Sequence, residues 1–342
     1  MLDYKIYIFL IVILILLLWF FWPEKGIYSK IKLSRKNKER ILIEDALKFI
    51  FDCEYKQVEC LMRNIAENLS ISEDKTEELV RKLKEKDLIK INDLKSIVLT
   101  TAGKEYAIRI IRIHRVWERY LSEETGLNEH EWHKEADKKE HFLTIEKADE
   151  IASKIGNPVF DPHGDPIPNI RGEIPLMKGK PLDEWKENDH LIITHLEDEP
   201  SVIYSQLVVM GLYPGVEIMI LEKDDDRVKF FGGGKEHILS LEMANSITAV
   251  ATNKDFDTKK YLYLNDIPIG ETVLVKQISP ESRGLERRRF MDLGIIPGVK
   301  ITPVLKSPGG DPIAYDVLNT EIALRKKQSK KIIVDRLIPN KF

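Results

Sequence analysis

Between His133 and His141 the chain reads HKEADKKEH. At 3.6 residues per helical turn, His133, Asp137, Glu140 and His141 fall within roughly a 100° arc of one helix. Upstream, His114 and Glu118 are again four residues apart. Two such helices side by side would converge imidazole and carboxylate groups. Nitrogen and oxygen donors of this kind suit Mn(II), Fe(II) or Zn(II) better than a soft ion. Spacing alone leaves a second account open, because charged residues on a solvated helix face recur at the same intervals. No nucleophile beside a base, no phosphate loop and no redox motif is found, so an enzyme is not expected.

The helices that must carry these donors run from about Gly103 to Glu124 and from Glu129 to Lys139, with a third over Ile145 to Ile155. Before them, Ile41 to Phe51 and Gln57 to Leu69 read as helices, and Ser72 or Asp74 caps another that contains Leu79, Val80 and Leu83. Ile89 to Thr100 alternates around Asn92-Asp93, the mark of a small hairpin. Helix, turn, helix and hairpin together spell a winged helix-turn-helix. Pro158 to Pro181, rich in Pro and Gly, reads as a linker.

Beyond it the chain repeats itself with a period of about 85 residues. The run LVVMGLYPGVEIM from Leu207 matches FMDLGIIPGVKIT from Phe290. In each copy a short helix meets a glycine suited to a left-handed stop, then Pro-Gly turns the chain into a strand. Strand-like stretches at His190 to Thr194 and Thr272 to Gln277 precede the two copies, which predicts two small β-barrels.

Composition sets the outer bounds. A length of 342 residues calls for several domains, and a net charge of -3 places any nucleic-acid face locally rather than across the whole chain. Only Cys53 and Cys60 occur, too few for a disulfide framework. Ile6 to Trp22 is unbroken apolar sequence, near the lower limit for a spanning helix. Bulky Phe20, Phe21 and Trp22 stand where a cleaved signal peptide needs small residues. Lys25, Lys30, Lys32, Arg35, Lys36, Lys38 and Arg40 follow it, against Lys5 before it, so a single-pass anchor in the inner membrane with a cytoplasmic body is expected.

The runs TTAGKEYAIRIIRIHRVWERYL, GLNEHEWHKEADKKEHFLT and FDPHGDPIP resemble, in order and spacing, the diphtheria-toxin-repressor family of metal-dependent regulators. The resemblance covers about Ile41 to Pro168. It implies a primary metal site from Asp45, Asp137, Glu140 and His141, and an ancillary site from His114, Glu118 and His133. Asp137 and Asp45 stand where the iron-sensing branch has Cys and Met, which favours Mn(II), or Fe(II) without sulfur. Lys48 stands where the manganese branch has a second acidic ligand. The terminal repeats resemble FeoA domains, which are SH3-like barrels.

The expected fold is therefore multidomain α+β: a transmembrane helix (1–24), a basic linker (25–40), a winged helix-turn-helix (41–101) and an all-α dimerisation domain (102–157). A linker (158–181) and two SH3-like barrels (182–252 and 263–338) complete it. The resemblance implies a homodimeric repressor that binds operator DNA when loaded with Mn(II) or Fe(II), with Lys75, Thr76, Arg81, Lys82 and Lys95 as candidate DNA contacts. Glu73, Asp74, Glu77 and Glu78 make the recognition helix acidic where phosphates would approach. A regulatory module of a membrane metal transporter is the alternative.

Overall fold

The computed structural model describes residues 27–253 and 261–337, which fall into two units that divide after Arg112. The predicted span from Ile6 to Trp22 lies outside the described residues. Among those described, no helix is long and apolar enough to cross a membrane.

In the first unit, α1 (Ile27–Tyr55), α2 (Met62–Asn68) and α3 (Glu73–Glu85) lead to the hairpin strands β1 (Ile89–Ile91) and β2 (Ile97–Leu99). The basic stretch expected as a linker is helical from Ile27 onward. It holds no Pro or Gly after that point, and its Lys, Arg, Leu and Glu are good helix formers, so charge density was a misleading sign of irregular structure. Leu47, Ile50, Ile65 and Leu83 are fully buried, each contributing about 1.5–3 kcal/mol by removal from water. Ile89 pairs with Leu99 in the antiparallel hairpin, and the Asn92 side chain accepts from the Leu94 and Ser96 amides across its turn. Helix α4 (Thr101–Glu124) begins against this unit, where a Cβ on Gly103 would stand 1.9 Å from the Leu88 carbonyl oxygen.

In the second unit, the remainder of α4 is followed by α5 (Glu129–Glu140) and α6 (Ile145–Lys154). Two sheets come after it. The first comprises β3 (Lys180–Pro181), β4 (His190–Leu196), β5 (Glu217–Lys223), β6 (Arg227–Gly232), β7 (Lys235–Ser240) and β8 (Ile247–Ala251), with helices α7 (Ser201–Val209) and α8 (Leu241–Asn245). The second comprises β9 (Leu262–Tyr263), β10 (Val273–Ile278), β11 (Lys300–Lys306), β12 (Ile313–Val317), β13 (Thr320–Leu324) and β14 (Ile332–Arg336), with α9 (Gly284–Asp292) and α10 (Lys326–Ser329).

Strand order is β3-β8-β4-β5-β6-β7 in one sheet and β9-β14-β10-β11-β12-β13 in the other, so the sequence repeat is also a topological repeat. Gly211 (φ 79°) and Gly294 (φ 78°) end α7 and α9 in left-handed conformation, as the repeated motif requires. Neither sheet closes into the barrel expected from sequence. The first and last strands of each order do not pair, and β3 and β9, two residues long, offer too little edge to bridge the gap. Each sheet encloses its own apolar cluster, centred on Phe230 in one and on Phe290 and Tyr315 in the other.

Candidate metal centre

Helix α4 turns one face to Ala148, Ile151 and Ala152 through Ile113 and Val116. That packing leaves His114 and Glu118, one turn apart on another face, buried at 6% and 1% exposure. On α5, Asn128 caps the first turn in a reciprocal box with Glu131, and Trp132 and Ala136 are buried. The same helix carries His133, Asp137 and Glu140 toward α4. His141 is not part of that helix but its C-terminal cap.

His114 Nδ1 lies 2.5 Å from Glu140 Oε2 and 3.4 Å from Asp137 Oδ1, and its Nε2 lies 3.7 Å from Glu118 Oε2. His133 Nε2 is 3.4 Å from Asp137 Oδ2, while its Nδ1 is 3.6 Å from Glu118 Oε1. Two further residues join. Asp198, just past β4, places Oδ2 3.2 Å from His133 Nδ1, and His163 Nε2 is 3.2 Å from Glu118 Oε1. Within the second unit three donor triads result, His114–Asp137–Glu140, His114–Glu118–His133 and Glu118–His163–Asp198, each with ligand atoms within 4.8 Å of one another. The first two share His114 and the last two share Glu118, so filling one constrains the next. Asp45 sits on α1, half-buried, in the first unit.

His163 belongs to the stretch expected as a linker, and the structure shows a packed loop instead. Asp161 Oδ1 accepts from the amides of His163, Gly164 and Asp165, each at 2.9 Å. Arg115 of α4 donates to the Pro166 carbonyl at 2.7 Å and to Asp165 at 3.0 Å. Leu196 of β4 donates to the His163 carbonyl at 2.9 Å. Gly164 has φ 100°, and a Cβ there would stand 2.1 Å from the Thr194 carbonyl oxygen, so the loop's approach to β4 requires glycine. The Pro and Gly content signalled turns correctly, but those turns are tied down by buried charge.

Burial penalises the charged forms of Glu118, His133 and His163, yet their mutual pairing overrides it. For Glu118, desolvation is outweighed by His163, His133 and His114, which hold the carboxyl well below its usual range. Desolvation of His133 is likewise overcome by Asp198 and Glu118, and the imidazole is pushed up to about 11. His163 reaches about 9, against its burial, through Glu118 and Asp161. Deep burial and neighbouring Asp165 and Glu118 raise the Asp161 carboxyl to about 7, whereas Arg115 and His195 hold Asp165 low despite burial. Hard oxygen and imidazole donors, mostly buried and already converged, fit a divalent transition metal.

Residues 100–169 match the family described as iron dependent repressor, metal binding and dimerisation domain, and residues 180–250 and 262–336 each match the FeoA domain. The chain is 32% identical over 220 residues to the iron-dependent repressor IdeR of Mycobacterium leprae, an alignment that spans 59% of this chain and 93% of that protein. The chain belongs to the iron-dependent repressor family. It is also 31% identical over 130 residues to the diphtheria toxin repressor of Corynebacterium glutamicum, covering 38% of this chain and 57% of that one. Among solved structures, a manganese-dependent transcriptional repressor in complex with manganese superposes with a TM-score of 0.57 at 26% identity, over 61% of this chain and 99% of the other.

In this iron-dependent repressor family member the candidate DNA residues fare unequally. Thr76 is fully buried and its hydroxyl donates to the Ser72 carbonyl at 3.0 Å, so it pins the start of α3 rather than facing a ligand. Lys82 is held by Glu39 at 3.0 Å and Glu78 at 2.7 Å, and Arg81 by Glu85 at 2.6 Å. Lys75 and Lys95 are exposed, the latter in the hairpin turn at φ 61°. His163 and Asp198 were not singled out from sequence as donors. The quoted run FDPHGDPIP contained His163, but no periodicity marks a ligand in a loop or at a strand end.

Proposed function

We propose that this chain is a divalent-metal-activated, DNA-binding transcriptional repressor that acts as a homodimer, with Mn(II) or Fe(II) as corepressor. The observation that carries this reading is the convergence of buried His114, Glu118, Glu140 and His163 with half-buried His133, Asp137 and Asp198 within a family of metal-dependent repressors. In this reading Asp45, Asp137, Glu140 and His141 form the primary set. His114, Glu118 and His133 form the ancillary set, to which Asp198 and His163 add two donors. The absence of sulfur among these residues favours Mn(II) slightly over Fe(II). A bound ion would supply a positive centre among these carboxylates. The donors come from α4, α5, the 158–168 loop and the end of β4, so liganding them together favours one arrangement of those elements by its differential affinity. Like the family, the protein is a regulator and not an enzyme.

The apolar run from Ile6 to Trp22, followed by a basic cluster, supports a tether that holds the repressor at the inner membrane with its body in the cytoplasm. One observation favours a second reading, a regulatory module of a membrane metal transporter: α3 opens with Glu73 and Asp74, and Arg81 and Lys82 are neutralised by carboxylates. Retention of DNA from metal-transport promoters by the full chain, with and without Mn(II), separates the two. The repressor reading expects salt-sensitive retention only with metal. No retention under either condition sinks it, and co-purification of a metal permease from membranes would then favour the transporter.

A further inference from the structure

The second FeoA domain reaches the 158–168 loop of the metal centre through Arg283, the N-cap of α9, and packs on α4 through Gly284, its first residue. Arg283 Nη1 donates to the Pro162 carbonyl at 2.9 Å, and its guanidinium lies 4.8 Å from the centre of the Tyr213 ring. Gly284 follows at φ 53°, where a Cβ would stand 2.3 Å from the Ser122 carbonyl oxygen on the last turn of α4. Arg288, one turn on, forms a two-pronged ion pair with Glu124 at 2.6 and 3.0 Å. Only glycine permits the approach that brings Arg283 over the 158–168 loop.

What Arg283 grips is the residue before His163. The peptide that joins Pro162 to His163 is held on both sides, its N–H donating to Asp161 Oδ1 at 2.9 Å and its carbonyl accepting from Arg283. The imidazole of His163 is flanked on its other side by the Tyr204 ring, 4.8 Å away and edge-on, whose hydroxyl donates to Glu129 at the start of α5. Its Nδ1 is buried with no hydrogen-bond partner among the described residues, so no bond from that atom fixes the ring. Orientation of Nε2 toward Glu118 therefore depends on the backbone of the turn and on the aromatic wall.

We propose that Arg283 is a positioning residue for the metal centre: from the duplicated FeoA domain it fixes the Pro162 carbonyl, and thereby aims His163 at the Glu118–Asp198 pocket. The second FeoA copy is thus a structural part of the sensor as well as an appended domain. This rests on the metal-centre reading given above. Removing an orienting group around metal ligands lowers affinity by about 10- to 100-fold.

The test is titration of the full chain with Mn(II), read by loss of the free-ion paramagnetic resonance signal, beside thermal unfolding of the metal-free protein. Arg283→Met keeps an aliphatic side chain against Tyr213 and removes the donor. It is expected to weaken one class of Mn(II) site about tenfold. Arg283→Lys, which restores a donor and a cation over the ring, is expected to recover most of that loss. Arg288→Ala removes the docking ion pair alone, and should stay within about twofold of wild type. Wild-type affinity in Arg283→Met overturns the proposal, as does a loss in Arg288→Ala equal to that in Arg283→Met. If the wild-type chain itself takes up no Mn(II), the metal-centre reading fails first.

Discussion

Replacing Glu118 with glutamine preserves the outline of the side chain and removes its charge, and the surrounding imidazoles set the consequence. Burial depresses His163, and Glu118, aided by Asp161 and Asp198, more than reverses this, carrying it from 6.5 to about 9. At 1.36 kcal/mol per unit, the difference corresponds to roughly 3 kcal/mol of stability in the metal-free protein. The folded-state value lies above the unfolded one, so this contribution is fully present below about pH 6.5 and is lost as pH rises through about 9. Glu118→Gln removes the largest of the contributions that keep His163 protonated across that window. The variant should be less stable than wild type by up to roughly 3 kcal/mol near pH 6, and the gap should shrink toward pH 9.5. Urea unfolding with chelator present, at both ends of the range, measures it. A gap under about 0.5 kcal/mol near pH 6, or one that persists unchanged at high pH, would refute the account of the cluster as mutually paired ions.

Metal binding should carry its own pH signature. His133 and His163 are protonated in the metal-free protein and must lose those protons to ligate, so Mn(II) affinity should rise by up to about tenfold per pH unit for each proton released between pH 6 and 9. Calorimetry in buffers of different ionisation enthalpy would count them, and a pH-independent affinity would contradict it. Gly164→Ala, which brings a Cβ against the Thr194 carbonyl at positive φ, should cost more than about 1 kcal/mol in thermal unfolding and weaken Mn(II) binding. Wild-type values of both would show that the loop has room to spare. Thr76→Ala should lower stability by about 1 kcal/mol and leave sequence preference for DNA untouched, because the residue is buried and bonded to Ser72. A changed preference in a binding-site selection would show that Thr76 reaches the bases.

The parts of this protein that were legible in the sequence are those set by local periodicity. Four-residue intervals put His114 with Glu118 and His133 with Asp137, and helices α4 and α5 place each pair as the spacing demands. Asn92 marked the hairpin, and the repeated Gly and Pro-Gly marked the duplicated sheets, because each residue imposes a backbone geometry of its own. His163 and Asp198 were not legible as donors, since they converge on Glu118 and His133 from a loop and a strand end far along the chain. Only long-range packing makes them neighbours. The same holds for Thr76, a small polar residue whose burial depends on how α3 rotates, and for the first helix, whose charged half hid an ordinary helical propensity. Barrel closure failed for a related reason. Pattern announces strands, but the pairing of first with last depends on lengths, and β3 and β9 are too short.

The central claim is that buried imidazole and carboxylate side chains of the second unit hold a divalent metal without sulfur. X-ray absorption at the manganese edge of the loaded full chain tests it most directly. The account predicts a shell of nitrogen and oxygen only, with imidazole scattering that diminishes in His163→Ala and in His133→Ala. A sulfur scatterer, or a shell of oxygen alone that neither substitution alters, would contradict it.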